Sequence, residues 1–597
     1  MSSVPSAVTA LSWFVGGAAG RVGHESASRC IVVPGMVFAC SVHTTLCPRF
    51  TMRALSLLTV AALAVPAEAL ACGGFFCNND FPIDQAAEQI VFGVDSDSGM
   101  TTAHVTITYE GASEDFAWVV PVPSEPQLDI SSDALFSAVA SATRPQFWLD
   151  YETFGDCWSN RGVDDIDADF DSAPNEAGGG VTVVAEQTVG PYDTVTLQAE
   201  SSAELLTWLN EAGYDLPSDL DPVLAPYIAG GQYFVALKLS AGRDTGDLAP
   251  LAMTYPSTAA SVPIQLTSIA ATPDMRLEVY VLGDERAVPD NYLHVTINEA
   301  AIDWFGGGTN YNDVISLAAD EAGGHAFATD FSGSTSNLRG SLWSEGRYEL
   351  ESLRTAADPF EWLDMLIGMG FPPSAELLEV FLDIIPFPAA LEAQGVTPQN
   401  FYDCLSCYSE HVDSESFDAE AATDALQTRV VDGYIAAEEL FAAHPHITRL
   451  TSSLDAVEMT VDPMFTFNGD MPQEVSNVHR ATVEMHCGLG EDWESAERVL
   501  VLADGRRIRL PSINWVESNG TSEYELMNEL TSPAAILIED VGGSGDGEVV
   551  LDFRDEAAER ARLFTRAGCG CDSTSNTGGA LGLLGLLGLV GLRRRRS

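Results

Sequence analysis

Along the first half of the chain, hydrophobic positions alternate with polar ones instead of recurring every third or fourth place. "AEQIVFGVDSDSGMTTAHVTITYEG" carries two alternating runs around the turn-rich "DSDSG", which predicts a β-hairpin. "DFAWVVPVP" predicts a further strand whose prolines mark an edge or an exit from the sheet. Strands are also predicted in "VTVVAEQTVGPYDTVTLQA", "QYFVALKLS", "VPIQLTSIAA" and "RLEVYVLGD", where β-branched and aromatic residues favour a sheet core. Helical spacing is local, in "SSDALFSAVASA" and "SSAELLTWLNEAG". In the second of these Ser201 and Glu204 have capping-box spacing, Leu205, Trp208 and Leu209 share a face, and Gly213 ends the run.

The period changes near residue 355. "DPFEWLDMLIGMG", "SAELLEVFLDII", "TPQNFYDCLSCYSEH" and "DAEAATDALQTRVVDGYIAAEELFAAH" carry helical spacing to about residue 446, and Thr397 followed by Pro398 predicts a helix opening. "ATVEMHC", "RVLVLADGRRIRLPS" and "AAILIEDV" then return to short strands with an "ADG" turn. The expected class is α+β: a β-rich mixed domain over 72–345, a helical segment within 355–460, and a small β-rich region over 461–560. No repeat of solenoid or propeller period is visible, and no segment inside the body has the length of a membrane span.

The two ends follow a different logic. Arg53, the apolar run "LSLLTVAALAV" and "PAEALA" before Cys72 have the basic, apolar and small-residue parts of a signal peptide over residues 52–71. Signal peptidase would cut after Ala71, the alternative being a lipoprotein-type cut before Cys72. Residues 1–51 read as upstream sequence, with Met52 the expected start, against the alternative of a structured extension carrying Cys30, Cys40 and Cys47. At the other end, residues 569–597 combine Cys569 and Cys571, the polar "DSTSNT", an apolar run from Gly578 to Leu592, and Arg593, Arg594, Arg595 and Arg596. Fifteen helical residues rise about 22 Å against roughly 30 Å of hydrocarbon, so this span is marginal; the arginines hold its end on the cytoplasmic side.

Charge narrows the partners. The 597 residues hold 87 acidic and 28 basic side chains, a formal net charge of −59, and Lys238 is the one lysine. A polyanion of this kind repels nucleic acid and anionic headgroups, so no nucleic-acid partner is expected. With 46% hydrophobic residues the chain is nevertheless a folded body and not an acidic tail. Export makes Cys72, Cys77, Cys157, Cys404, Cys407 and Cys487 a candidate disulfide set, whose 15 pairings sequence does not rank. Cys404 and Cys407 have thiol-redox spacing but fall inside the helix predicted to open at Thr397, so a structural disulfide is expected, to each other or to separate partners. Zinc held by these two with His411, His486 and Cys487 is the competing reading.

The remaining candidate chemistry is thin. Asp165, Asp167, Asp169, Asp171 and Glu176 occupy places 1, 3, 5, 7 and 12 of a calcium-loop window. Phe170 stands where such a loop needs glycine and Pro174 stiffens it, so a solvated insertion explains the same residues. Glu114 and Asp115 are adjacent on a strand and point to opposite faces, which is no acid/base dyad. His444 and His446 in "HPHITRL" read as loop residues, the alternative being ligands. No G-x-S-x-G elbow, H-E-x-x-H, P-loop or dinucleotide fingerprint is present, and no catalytic residue is nominated.

"CGGFFC", "DFAWVVPVP", "VGPYDTVTL" with "LLTWLNEAGYDLP", "YFVALKL" and "HPHITRLTSSLDAVEMTVDPMF" together resemble the bacterial domain of unknown function 2330 family, over most of residues 72–490. The resemblance brings no activity; Arg449, Asp462 and Pro463 within it read as turn residues, the alternative being a functional role. The tail resembles the MYXO-CTERM sorting signal of myxobacterial surface proteins. That resemblance implies cleavage near Cys569 or Cys571 by an intramembrane sorting protease, and a body held at the cell surface or outer membrane through its processed C-terminus; the alternative is a permanent anchor. The expectation is an exported, non-catalytic binding or structural protein of unknown ligand, against a secreted hydrolase-like enzyme with an unrecognised site or a calcium-dependent adhesion module.

Overall fold

The predicted hairpin forms because its turn is closed by residues within reach of one another. Gln85–Asp95 and Met100–Ile107 pair antiparallel. Asp95 Oδ1 accepts from the amides of Asp97 and Ser98 at 2.9 and 3.0 Å, and Gly99 supplies the φ of 68° that closes the loop. The computed structural model describes residues 85–567 apart from 108–116, 156–181, 213–219, 240–248, 270, 345, 372–374, 393, 490–491, 521 and 523–532.

Ten strands make one mixed sheet. In spatial order they are Glu548–Asp552, Ala535–Asp540, Leu293–Ile297, Ala326–Ser334, His446–Leu454, Ala271–Gly283, Gln85–Asp95, Met100–Ile107, Leu251–Pro256 and Gln127–Ile130. Two neighbouring pairs are parallel, Gln85–Asp95 with Ala271–Gly283 and Leu293–Ile297 with Ala326–Ser334; the rest are antiparallel. A four-stranded sheet, Ala117–Val122, Tyr233–Leu239, Tyr192–Gln198 and Thr182–Val189, packs on one face of it. Phe92, Val279, Val281 and Leu450 meet Trp118, Val120 and Leu237 in that main core. The proline-bearing strand Ala117–Val122 lies at the edge of its sheet, as its sequence predicts. On the outer face of that sheet, Val119, Leu197 and Phe234 pack against the helices Ser202–Glu211 and Asp221–Ala229. Ser201 caps the first of these, accepting from the Glu204 amide at 3.3 Å, with Leu205 and Leu209 fully buried.

A second core lies under another four-stranded sheet, Arg507–Leu510, Glu497–Leu502, Val478–His486 and Gln146–Phe154, and includes Val314, Ile315 and Ala318 of the helix Tyr311–Glu321. Among the described residues, the helices between Leu350 and Ala443 follow one another without intervening strands, so the protein is α+β.

Three expectations change. "VPIQLTSIAA" is not a strand: Ile264–Thr267 form a helical turn, because Asp462 accepts from the Gln265 amide at 2.9 Å across 197 residues of sequence. The helix opened by Thr397 ends at Asp403, and Cys404, with φ −143° and ψ 63°, separates it from a 3₁₀ stretch Leu405–His411. Arg449 and His446 lie in no turn or loop. They belong to His446–Leu454, a strand buried at every position because both of its neighbours and both of its faces are covered.

Candidate functional site

Buried charge distinguishes the large sheet. Arg449 lies opposite Tyr280 on one neighbouring strand and Phe331 on the other. Its Nη2 is 3.0 Å from Glu278 Oε1 and its Nε 3.0 Å from Asp330 Oδ2. Glu278 Oε2 also accepts from Gln89 Nε2 at 2.7 Å and from the Tyr280 hydroxyl at 3.0 Å, while Arg276 Nε lies 3.4 Å from Oε1. Asp330 Oδ2 accepts from Thr451 Oγ1 at 2.6 Å, and its other oxygen takes a short hydrogen bond from Tyr311 of the overlying helix. The Tyr280 ring lies 5.5 Å from the guanidinium carbon.

Local backbone geometry makes this convergence. The register of Ala326–Ser334 against its neighbour shifts between Thr329 and Phe331, leaving Asp330 as an extra residue. Such a bulge re-aims one side chain, and here it brings the carboxylate to Arg449. Burial raises the Asp330 carboxyl above its ordinary range, outweighing Arg449 and the two hydroxyl donors. Burial acts on Glu278 in the same sense, but Arg449 and Arg276 together hold it net below the usual range. The side chains of Arg449, Glu278 and Asp330 are 6%, 5% and 0% exposed. Sealed groups of this kind join helix to sheet; they do not reach a substrate.

A second polar cluster gathers at the end of the sheet where Ala271–Gly283 and Ala326–Ser334 terminate. Ser332 Oγ is 2.8 Å from His446 Nε2 and 3.3 Å from Thr448 Oγ1, which accepts from the Ala287 amide. Arg286 Nη2 donates to Thr329 Oγ1 at 3.1 Å, and His294 Nε2 meets the same oxygen at 3.1 Å. A serine beside a histidine invites a hydrolytic reading, but Ser332 is fully buried and exchanges both backbone hydrogen bonds with Val475. A nucleophile needs access to its electrophile, so the pair as it stands is structural.

The sequence candidates divide clearly. Cys404 and Cys407 are bonded to each other, with Cα atoms 5.3 Å apart, and Cys487 is also disulfide-bonded. Three of the proposed zinc donors, Cys404, Cys407 and Cys487, are thereby spent, and His486 Nε2 is 2.9 Å from Glu484 Oε2 while its ring stacks on Phe154. Asp462 has a structural place: it holds the Ile264–Thr267 turn and accepts from the Tyr227 hydroxyl at 2.9 Å. Asp165, Asp167, Asp169, Asp171, Glu176, Cys72, Cys77, Cys157, Glu114 and Asp115 lie outside the described residues, as do Ala71, Cys569, Cys571 and Arg593 to Arg596. Among the described residues no helix is long and apolar enough to cross a membrane. Glu278, Asp330 and Tyr311 were not anticipated. Glu278 is a single carboxylate inside the apolar alternation of "RLEVYVLGD", and that exception was the signal available.

The class so defined is an α+β protein built on a mixed ten-stranded sheet, whose central charges are used internally. Residues 66–337 match the model of a family described as an uncharacterized protein conserved in bacteria, DUF2330, and the match supports that family for this stretch. It contains Glu278, Asp330 and Tyr311 and stops short of Arg449. No curated protein and no solved structure matches the chain.

Proposed function

We propose that the protein is exported and displayed at the cell surface or outer membrane, where the sheet body has a non-catalytic binding or structural role. The supporting observation is the state of its sulfur: among the described residues, Cys404, Cys407 and Cys487 are all in disulfides. Reducing cytosol keeps such thiols free, whereas oxidising compartments pair them. The signal-like segment 52–71 and the tail 569–597 agree with that reading, with signal peptidase cutting after Ala71 and a sorting protease cutting near Cys569 or Cys571. The sealing of Arg449, Glu278, Asp330 and Ser332 supports a structural use of the body's polar groups. Mass spectrometry of the protein recovered from outer membranes tests this. The expected polypeptide begins at Cys72 and ends at a modified Cys569 or Cys571; recovery with Arg596 intact overturns the processing, and recovery from cytosol with free thiols overturns the export.

A further inference from the structure

Beyond that role, we propose that Cys404–Cys407 is an exchangeable disulfide that accepts two electrons from the dithiol of a partner polypeptide. A pair buried within one helix would have no means of reacting. The chain instead breaks at Cys404, and the turn that follows is closed by the Cys407 amide donating to the Cys404 carbonyl at 2.8 Å. Cys407 is exposed and Cys404 half-buried, so Cys407 Sγ is the sulfur a thiolate reaches.

The fold does not depend on this bond. Phe401, Tyr402 and Leu405 are 0%, 7% and 5% exposed, and the Tyr402 hydroxyl donates to the Ile385 carbonyl at 2.7 Å. These contacts anchor the chain before the pair and between its two cysteines. A cross-link only three residues apart in sequence constrains the unfolded chain least of all, so its structural value is small. An accessible disulfide that packing does not require can open and close in a folded protein. Cys487 differs: its amide donates to the Phe154 carbonyl at 2.9 Å and it packs, partly buried, against the second core.

The exchange runs in two steps. A thiolate of the dithiol attacks Cys407 Sγ, the Sγ–Sγ bond breaks, and Cys404 leaves as a thiolate; Ser406 Oγ, 3.9 Å from Cys404 Sγ, is placed to donate to it. The second thiolate of the partner then attacks its own sulfur in the mixed disulfide, and Cys407 leaves. The partner is oxidised by two electrons, the pair is reduced, and the two thiol protons pass to Cys404 and Cys407. A small disulfide such as oxidised glutathione then restores the bond: one thiolate of the reduced pair attacks it and one glutathione leaves, and the other cysteine thiolate attacks the resulting mixed disulfide and displaces the second glutathione.

Glutathione titration of the mature protein, with alkylation and peptide mapping, tests the bond itself. Cys404–Cys407 should reduce at an equilibrium ratio of reduced to oxidised glutathione about tenfold lower than the Cys487 disulfide requires, without loss of the folded circular-dichroism signal. Joint reduction of both bonds, or reduction only on unfolding, overturns the proposal. Turnover is tested with a reduced dithiol peptide and oxidised glutathione. Protein at about one-tenth of the peptide concentration should speed oxidation about tenfold, and the double variant Cys404→Ser, Cys407→Ser should fold normally and lose that effect. Equal rates for the two proteins, or a double variant that fails to fold, refute it.

Discussion

Arg449 is the buried cation that pairs with Glu278 and Asp330 at the centre of the large sheet. Replacing it with methionine keeps much of the volume but leaves Asp330 without its cation and Glu278 with only the half-exposed Arg276. Removing one partner of a buried ion pair costs about 3–5 kcal/mol, so the urea midpoint of Arg449→Met should fall by that equivalent. Adding Glu278→Gln and Asp330→Asn should recover much of the loss, because no buried charge is then unpaired; a triple variant less stable than the single one would contradict the assignment. His294 offers a test of sign. It is buried, and burial, helped by Arg286, takes its imidazole down from 6.5 to about 3. The unfolded chain therefore binds a proton near pH 6.5 that the folded protein refuses until about pH 3. Its contribution is fully present above pH 6.5 and is lost as pH falls towards 3. Between pH 6.5 and 5 the loss is about 2 kcal/mol, and His294→Asn should flatten that part of the curve in urea unfolding. His104, lowered to about 4 by burial, acts in the same sense and leaves a residual slope.

At the scale of elements, legibility followed the distance over which the deciding hydrogen bond reached. The hairpin turn is closed by Asp95, Asp97, Ser98 and Gly99, and the helix openings at Ser201 and Thr397 by residues three positions on. All of these are visible in a short window. "VPIQL" is different, since Val262, Ile264 and Leu266 alternate as a strand would and all three are buried. What makes a helical turn of it is Asp462, which no window containing Ile264 includes. The break at Cys404 is likewise absent from the helical spacing of "FYDCLSCY"; the buried anchors Phe401, Tyr402 and Leu405 come from two helical pieces and not from one. The bulge at Asp330 is of the same kind, because a register shift exists only relative to a partner strand.

For the whole molecule the dominant fact is a net charge of −59. Like charges over one surface oppose compaction, and salt screens them with a Debye length of about 10 Å at 0.1 M. Thermal midpoints should therefore rise by several degrees between about 0.01 M and 0.3 M sodium chloride; a flat profile would mean that local pairs, such as Arg507 with Glu484 and Arg509 with Glu497, already offset the repulsion. Alternation, helical spacing and composition sufficed for the α+β class and for most strands, and for naming Cys404, Cys407 and Cys487, since each depends on neighbours within one element. The placing of His446–Leu454 between Ala326–Ser334 and Ala271–Gly283 depended on the tertiary structure, and with it the meeting of Arg449, Glu278 and Asp330. So did the opening of Cys404–Cys407 to solvent. Those outcomes are set by which distant surfaces are buried together, and a local pattern records that a residue is apolar or charged without recording what will lie against it.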